Sequence, residues 1–432
     1  MPFKDYRLFR SAAGLRAVHK SAAPGTRVSH LCVLIEAGSG MEDLGEWGMA
    51  HFTEHMLFKG TKKRGTSRIL NRLELAGGEI NAFTTREYTC IHASFLNEHL
   101  QKAVDLLADM IFNSTFLEKE IEHEKSVILD EIDSYRDMPE ESIQDDFDEA
   151  LLPGHPFFRN ILGSRESVLD FSRNDLVSWS ERNFELGKII VGLSSSISAN
   201  RFLNYTARYF LGTHDSFEPG LGFSEFELAA ESEDTRSEHT NILAQHITFQ
   251  KKFARQVTQV HSMIGSAACT LFDKRRPAML LLNNLLGGPG MTSRLNMEIR
   301  EKRGICYTIE SSYVPFKNAG VFSIYFGTEA GKAVSCMSLV RKELDRLCNI
   351  SLSKLELSQA KSRFKGQIAL AEEARVSVVI SICKSILDFG RADTLPQLFV
   401  KVDKITAAEL QELACETFNP SQMSSIILSP EI

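Results

Sequence analysis

The sequence of 432 residues contains no Cys-x-x-Cys pair, although it has eight cysteines. The cysteines are scattered along the chain, and several lie in apolar stretches such as HLCVLIEAG and ISICKSIL. Disulfide frameworks are typical of small secreted chains, and structural zinc sites normally use closely spaced cysteine pairs. We therefore expect reduced, buried thiols and no zinc–thiolate site.

The sequence also lacks an excess of basic residues, a long apolar run and a secretory signal. Its formal net charge is -7, whereas binding to nucleic-acid phosphates requires clustered Lys and Arg. No apolar run approaches the roughly 20 residues of a membrane span, and the start of the chain has no apolar signal-peptide core. These absences predict a cytoplasmic protein with no nucleic-acid partner and no membrane partner.

The length of the chain exceeds that of one ordinary domain core. Residues 212–240 are acidic, rich in Ser, Gly and Thr, and without sustained periodicity, which is typical of an interdomain linker. This linker separates a predicted N-terminal domain, residues 1–211, from a predicted C-terminal domain, residues 241–432.

The two halves show a weak internal repeat. The strand-like segment VSHLCVLIEAGS (28–39) has a counterpart in VTQVHSMIGSAA (257–268), and a helix-like segment follows each at the same distance. On this offset Leu280, Asn283 and Asn284 align with positions 51, 54 and 55. Strand-like and helix-like patterns alternate in both halves. We therefore predict an α+β fold of two homologous domains, each a mainly antiparallel sheet packed with helices.

The segment MAHFTEHMLFKG carries His51, Glu54 and His55 in the order H-x-x-E-H. Residues four apart lie on one face of a helix, so both imidazoles can reach one zinc ion. Glu54 lies at the edge of that face, where it can reach a metal-bound water. The order is the reverse of the H-E-x-x-H motif. The alternative is two histidines packed near a core beside a surface glutamate.

Two histidines leave a catalytic zinc one protein ligand short. In LEKEIEHEKSVILDEIDSY an apolar helical stripe contains two glutamates, at spacings of four and three. Its members are Leu117, Ile121, Glu124, Ile128, Glu131 and Tyr135. A carboxylate that faces a core is costly unless it is paired or binds metal; the alternative is a boundary position reaching water. We assign Glu131 as the third ligand and Glu124 as a supporting group.

Three segments of the first half, HFTEHMLFKGT, GGEINAFTTREYT and EHEKSVILDEID, resemble the pitrilysin/insulinase-like zinc peptidases, the inverzincins. The resemblance is strongest to the short-chain branch that includes mitochondrial processing peptidase and its bacterial relatives. In the second half, GGPGMTSRLNMEIREKRGICYTIESSYVPFKNAGVFSIYFGT resembles the C-terminal signature of that family.

The resemblance implies one zinc ion per chain, held by His51, His55 and Glu131, with Glu54 as general base and Glu124 as supporting glutamate. It further implies roles for two pairs of residues. Asn81 and Ala82 would belong to the strand that binds the substrate as an added β-strand, and Arg300 and Tyr307 would reach the active site from the C-terminal domain. From the residues alone, Arg300 reads as a surface salt-bridge residue and Tyr307 as a sheet-facing side chain.

The activity implied is a zinc-dependent endopeptidase that hydrolyses peptides or extended, unfolded polypeptides. The resemblance also implies that two chains pair around a chamber. A homodimer is the first expectation, with Arg300 and Tyr307 serving the partner's zinc, and a heterodimer is the alternative. The rival function is a non-catalytic scaffold subunit of the same fold, as in the core subunits of respiratory complex III.

Overall fold

The chain forms two compact units in a computed structural model that describes residues 6–212, 222–226, 241–243 and 247–430. The units exchange segments. The first unit contains Met1–Ile132, Arg159–Ala230 and Ala371–Thr394, and the second contains Asp133–Phe158, Glu231–Leu370 and Leu395–Ile432. The two units therefore differ from the contiguous domains predicted from the sequence, residues 1–211 and 241–432. Most of the linker predicted at 212–240 lies outside the described residues.

The first unit is built on a seven-stranded sheet in the order β4-β5-β3-β6-β2-β1-β7, with β4 at one edge. Its strands are β1 Tyr6–Ser11, β2 Arg16–Ser21, β3 Val28–Ile35, β4 Glu79–Thr84, β5 Thr89–Leu96, β6 Ile189–Ser195 and β7 Phe223–Glu225. The pair β2–β6 is parallel and the other pairs are antiparallel. The GGEINAFTTREYTCIHASF segment forms the hairpin β4–β5, as its Gly-Gly turn and β-branched residues predict.

Eight α-helices lie between residues 49 and 210 of the described chain, interspersed with these strands. They are α1 Met49–Met56, α2 Thr66–Glu74, α3 Leu100–Asn113, α4 Glu118–Arg136, α5 Pro139–Leu151, α6 Arg165–Asp170, α7 Arg173–Asn183 and α8 Ala199–Phe210. Buried side chains of α1, α3, α4, α7 and α8 form one core on one face of the sheet. This core therefore fixes α1 and α4 in the same layer.

The second unit contains a five-stranded sheet in the order β10-β11-β9-β12-β8. Its strands are β8 Gln250–Arg255, β9 Val260–Ala267, β10 Cys306–Pro315, β11 Gly320–Thr328 and β12 Ser424–Pro430. The remaining helices are α9 Arg276–Gly287, α10 Ala333–Asn349, α11 Lys354–Ala371, α12 Arg375–Phe389, α13 Leu395–Lys404 and α14 Ala407–Thr417. Across this sheet three antiparallel pairs are followed by one parallel pair, and the strands β4-β5-β3-β6-β2 of the first unit show the same pattern. The predicted α+β fold with two similar units is confirmed.

The repeat also holds at the level of single elements. Strand β9 occupies the position of β3, and α9 follows it as α1 follows β3. Asn284 is buried in α9, and its Nδ2 donates to Oε1 of Gln367 at 2.6 Å. Leu280 packs against the core of the second unit. The second unit thus keeps the scaffold while hydrophobic and amide groups replace the metal-binding side chains.

Helix α12 comes from the C-terminal part of the chain and completes the first unit. It packs on β3 and β6, on the sheet face opposite α1. Val379, Cys383 and Ile386 are buried there with strand residues that include Cys32 and Leu34. A contiguous N-terminal fragment would therefore leave this face of the sheet exposed to water.

Two expectations about the whole chain can be compared with the structure. All eight cysteines are free, but only five are buried, and Cys415 is exposed because it lies on the outer face of α14. In the part of the chain that the structure describes, no helix combines the length and apolar composition needed to cross a membrane.

The packing of α12 gives a test of the segment exchange. Ile386 is 1% exposed, so Ile386→Ala should lower the free energy of unfolding of the first unit by about 2–5 kcal/mol. Both tryptophans, Trp47 and Trp179, lie in this unit, so tryptophan fluorescence during urea denaturation measures the effect. The control is Leu370→Ala, which alters a side chain that is 74% exposed and should change the value by less than about 0.5 kcal/mol. An unchanged tryptophan transition in Ile386→Ala would show that α12 does not stabilise this unit.

Candidate metal centre

Helix α1 starts after a turn in which position 48 requires glycine, because its backbone conformation and two close backbone contacts leave no room for a side chain. Gly48 has φ +94°, and a Cβ there would lie 2.8 Å from both the carbonyl oxygen of Leu162 and Cα of Gly163. The carboxylate of Glu42 accepts hydrogen bonds from the N–H groups of Gly48 and Ala50, each at 3.0 Å. A carboxylate at this end of a helix satisfies free N–H groups and complements the helix dipole. The start of the helix that carries the metal motif is therefore held in place by Glu42, from the loop that directly precedes the helix.

The predicted ligands His51, His55 and Glu131 come together in the structure. Oε2 of Glu131 lies 3.8 Å from Nε2 of His51 and 3.6 Å from Nε2 of His55. One ligand atom from each side chain lies within 4.8 Å of the other two, and this is the metal-compatible group found among the described residues. Tetrahedral zinc with ligand bonds of about 2.0–2.2 Å separates its ligand atoms by about 3.3–3.6 Å. The donor set therefore fits zinc and leaves a fourth position for water or substrate.

The pKa values of the two histidines shift in opposite directions, and the neutral form of His51 favours metal binding. Burial lowers the pKa of His51 to about 3, with the charge of His55 acting in the same direction, so its imidazole is neutral and can act as a ligand. His55 is also buried, but its hydrogen bond to Glu124 and the charges of Glu131 and Glu124 outweigh burial and raise its pKa.

Glu124 contacts the imidazole of His55 at Nδ1, the ring nitrogen that does not face Glu131. The carboxylate is 2% exposed, and its Oε1 lies 2.8 Å from Nδ1 of His55. Because a carboxylate accepts, this contact places the proton on Nδ1 and directs the Nε2 lone pair of His55 towards Glu131. Nζ of Lys59 lies 2.6 Å from Oε2 of Glu124. Burial raises the pKa of Glu124, but His55 and Lys59 outweigh it and the net shift is downwards.

The stripe predicted on α4 is correct at its centre and wrong at its ends. Ile121, Glu124 and Ile128 are buried, whereas Leu117 precedes the helix and is exposed. The side chain of Glu131 is 43% exposed, and the neighbouring Ile132 takes the buried position. The reason is that the stripe drifts around the helix axis, so Glu131 lies where the core ends and the metal site opens.

Glu54 lies beside the ligands but points to the edge of the sheet. Its Oε2 accepts a hydrogen bond of 2.6 Å from the hydroxyl of Thr84, the last residue of β4. Glu54 is 8% exposed, and burial raises its pKa despite the opposing effect of Thr84. A buried carboxylate with a raised pKa is a suitable proton acceptor in catalysis.

Asn81 and Ala82 lie in the edge strand β4, next to this carboxylate. On one side β4 pairs with β5, where Asn81 lies opposite His92. On its other side no strand pairs with β4 in the described sheet. The N–H of Ala82 donates to the side-chain oxygen of Asn81 at 2.8 Å. The outer edge of β4 therefore has a main-chain donor whose acceptor is the side chain of the preceding residue.

Arg300 and Tyr307 belong to the second unit and have local partners there. Nε of Arg300 lies 3.9 Å from Oε1 of Glu301, and the side chain of Arg300 is 43% exposed. Tyr307 is 57% exposed, and its hydroxyl donates to Oε1 of Glu329 at 3.0 Å. The structure thus assembles the ligands, Glu54, Glu124 and the edge strand in the first unit, and places these two side chains on the surface of the other.

Three residues of the site escaped the sequence analysis. Lys59 lies three residues beyond the end of α1, so helical spacing gave no signal for it. Thr84 is two residues after Ala82 and therefore on the same face of the strand, which was a usable signal. Glu42 gave no signal, because its contacts with α1 come from a loop without regular periodicity.

The contact between Lys59 and Glu124 can be tested through metal affinity. Lys59→Met removes the charge that compensates a buried carboxylate and should loosen the orientation of His55. Changes to such outer groups typically weaken metal affinity by 10- to 100-fold, and about tenfold is expected here. Competition with a chromophoric chelator measures the zinc affinity. Lys63→Met, which removes an exposed charge nearby, is the matched control, and Lys59→Arg should retain the wild-type affinity. Equal affinities in Lys59→Met and Lys63→Met would show that Lys59 does not support the site.

Comparison with known proteins agrees with this geometry. The family described as "Insulinase (Peptidase family M16)" matches residues 17–165, and "Peptidase M16 inactive domain" matches residues 170–364. The uncharacterized zinc protease YmxG of Bacillus subtilis is 28% identical over 404 residues, which covers 94% of both chains. An uncharacterized zinc protease of Mycobacterium leprae is 29% identical and covers 96% of this chain and 90% of its own.

Solved structures show the same fold. A protease from Helicobacter pylori superposes with a TM-score of 0.85 at 20% identity, covering 98% of this chain and 99% of that one. A peptidase M16 inactive domain from Pseudomonas fluorescens gives a TM-score of 0.84 at 19% identity, covering 99% and 98% of the two chains. The two family matches together, and each of the curated relatives, extend over most of the sequence. The chain therefore belongs to the insulinase-like peptidase family M16.

Proposed function

We propose that this protein is a zinc-dependent endopeptidase that hydrolyses peptides or extended, unfolded polypeptides. The observation that carries the proposal is the position of Glu54, a buried carboxylate on the same helix as His51 and His55. A scaffold protein has no need of a proton acceptor beside a complete set of zinc donors. The names of the curated relatives, which are zinc proteases, support the same activity.

The chemistry follows from the positions of the side chains. A zinc ion held by His51, His55 and Glu131 would supply Lewis acidity, which lowers the pKa of water to near 7 and polarises a carbonyl. Glu54 takes the proton from the attacking water and then gives it to the leaving amine. Glu124 keeps the Nδ1 proton on His55, so this ring stays a neutral ligand during turnover. Thr84 donates to Glu54 and orients its carboxylate towards the edge strand.

The substrate is proposed to bind as an added strand along β4. This edge is unpaired in the described sheet and ends at Thr84, beside the general base. Main-chain hydrogen bonds give affinity with little dependence on sequence, and they require an extended peptide. Asn81 and Ala82 are the strand residues assigned to this contact.

Two further parts of the proposal concern assembly and location. Each chain has one set of metal donors among its described residues, and Arg300 and Tyr307 are exposed on the second unit. We infer that two chains pair as a homodimer, in which Arg300 steadies the substrate backbone and Tyr307 stabilises the oxyanion. A heterodimer is the alternative, and the cytoplasm is the inferred compartment.

The role of Glu54 is tested by Glu54→Gln, which removes the proton acceptor and keeps nearly the same shape. Hydrolysis of a quenched fluorescent peptide should fall by about a hundredfold to ten-thousandfold, while zinc content stays at one ion per chain. Glu118→Gln, at an exposed position on α4, is the control and should retain full activity. Wild-type protein that contains no zinc and hydrolyses no peptide would support the scaffold function instead.

The role of the β4 edge is tested by Ala82→Pro. Proline removes the N–H that now donates to Asn81, and an edge strand tolerates proline at an outward-facing N–H. Loss of one main-chain hydrogen bond, about 0.5–1.5 kcal/mol, should weaken peptide binding by roughly 2- to 12-fold. The measurement is fluorescence anisotropy of a labelled peptide with the uncleaving Glu54→Gln protein, with and without the proline. Unchanged affinity at an unchanged melting temperature would exclude pairing at Ala82.

A further inference from the structure

The edge strand β4 presents different surroundings on its two faces. Ile80 and Ala82 pack against the core that contains α1, so their face of the sheet also carries the metal site. Phe83 points to the opposite face and packs with the cluster formed by α12. A peptide paired with β4 continues this alternation, because side chains directly opposite each other across two strands share a face. Every second substrate side chain therefore leaves the metal face and points to the α12 face.

A groove lies on that second face. Helix α12 covers β3 and β6, and a cavity of about 450 Å³ remains between the helix and the β4–β5 hairpin. Its lining includes Phe83, Tyr88 and His92 from the hairpin and Val376, Ser377 and Ile380 from α12. All of these residues belong to the first unit. The groove is therefore continuous with the strand edge on which the substrate is proposed to bind.

The walls of the groove favour an apolar occupant. The ring of Phe83 lies 6.1 Å from the ring of Tyr88 and 6.2 Å from that of His92. Burial lowers the pKa of His92, so its ring is neutral at pH 7. The cation of the groove, Lys384, already has a carboxylate oxygen of Asp388 at 2.5 Å and one of Glu87 at 3.8 Å. An acidic substrate side chain would gain little there, whereas an aromatic ring would replace water at aromatic and aliphatic walls.

We propose that this groove, lined by Phe83, His92 and Ile380, is a substrate subsite that takes an aromatic or large aliphatic side chain of the peptide paired with β4. The inference rests on the proposed function, since it needs a peptide on the β4 edge. It adds that helix α12, from the second half of the chain, determines part of the sequence preference. The preferred residue recurs only at alternate substrate positions, because the strand alternates its side chains.

The test uses peptides of one length with a Gly/Ser background and a single Phe moved through successive positions. Affinities for the Glu54→Gln protein are measured by fluorescence anisotropy, and kcat/KM values are measured for the wild type. Phe should raise both by about tenfold or more at alternate positions, as burial of one aromatic side chain predicts. A preference without this alternation, or no preference, would overturn the inference.

Two variants assign the preference to the groove. Ser377 and Ser381 are exposed, lie one helical turn apart and both line the cavity, so Ser377→Trp and Ser381→Trp each fill it without removing core contacts. Either should reduce the Phe preference, measured relative to the all-Gly/Ser peptide, to about twofold or less. The matched control, Ser377→Ala, should keep the preference. A full preference in a folded Ser377→Trp or Ser381→Trp protein would exclude the groove as the subsite.

The same measurements separate this inference from the proposed function. The wild-type protein could bind peptides with an alternating Phe preference and yet cleave none of them. This result would support the groove as a subsite and refute the peptidase activity. Cleavage without the preference would sustain the activity and refute the groove. Absence of both binding and cleavage would refute both.

Discussion

The contact between His55 and Glu124 is the constraint on which the site depends. It joins α1 to α4, two helices that are 69 residues apart at this contact. Glu124 is buried, and a buried carboxylate is costly unless it has hydrogen-bond and charge partners. His55 and Lys59 supply both from the same short segment of chain. The register between the two helices that satisfies Glu124 also places Glu131, two turns later, opposite the histidine pair.

The edge strand β4 lies between the metal donors and the proposed substrate subsite. Its alternation places Thr84 on the face of Glu54 and Phe83 on the face of α12. Main-chain hydrogen bonds along an outer edge depend little on substrate sequence, whereas a groove on one face discriminates between side chains. In the proposed function, the same strand would therefore hold many extended peptides and still prefer an apolar residue at particular positions.

The exchange of segments gives the second half of the chain a structural role in the first unit. Its own copy of the motif helix, α9, has lost the metal donors, but α12 still covers the sheet beside the candidate active site. Burial of Val379, Cys383 and Ile386 against β3 and β6 makes the stability of the first unit depend on residues from the second half of the chain. Loss of the donors in one half was therefore compatible with retention of its fold.

Local periodicity was sufficient to predict most of the elements and the metal donors. The spacing of His51 and His55 on a helix, the glutamates of the α4 stripe and the strand pattern before Thr84 all depend on neighbours within two turns or a few strand positions. The repeat was also visible, because corresponding strands and helices keep their apolar pattern. These local features are sufficient to indicate the fold class and the candidate ligands.

Tertiary structure decided the contacts that join distant segments. The sequence contained no sign that α12 belongs to the first unit or that a groove lies beneath Phe83. Each of these depends on which faces of separate elements meet, and many pairings of apolar faces satisfy the same local pattern. The sequence alone determined which side chains each helix and strand presents. Packing determined that His55, Glu124 and Lys59 meet, because this arrangement buries the core and compensates the carboxylate of Glu124 at the same time.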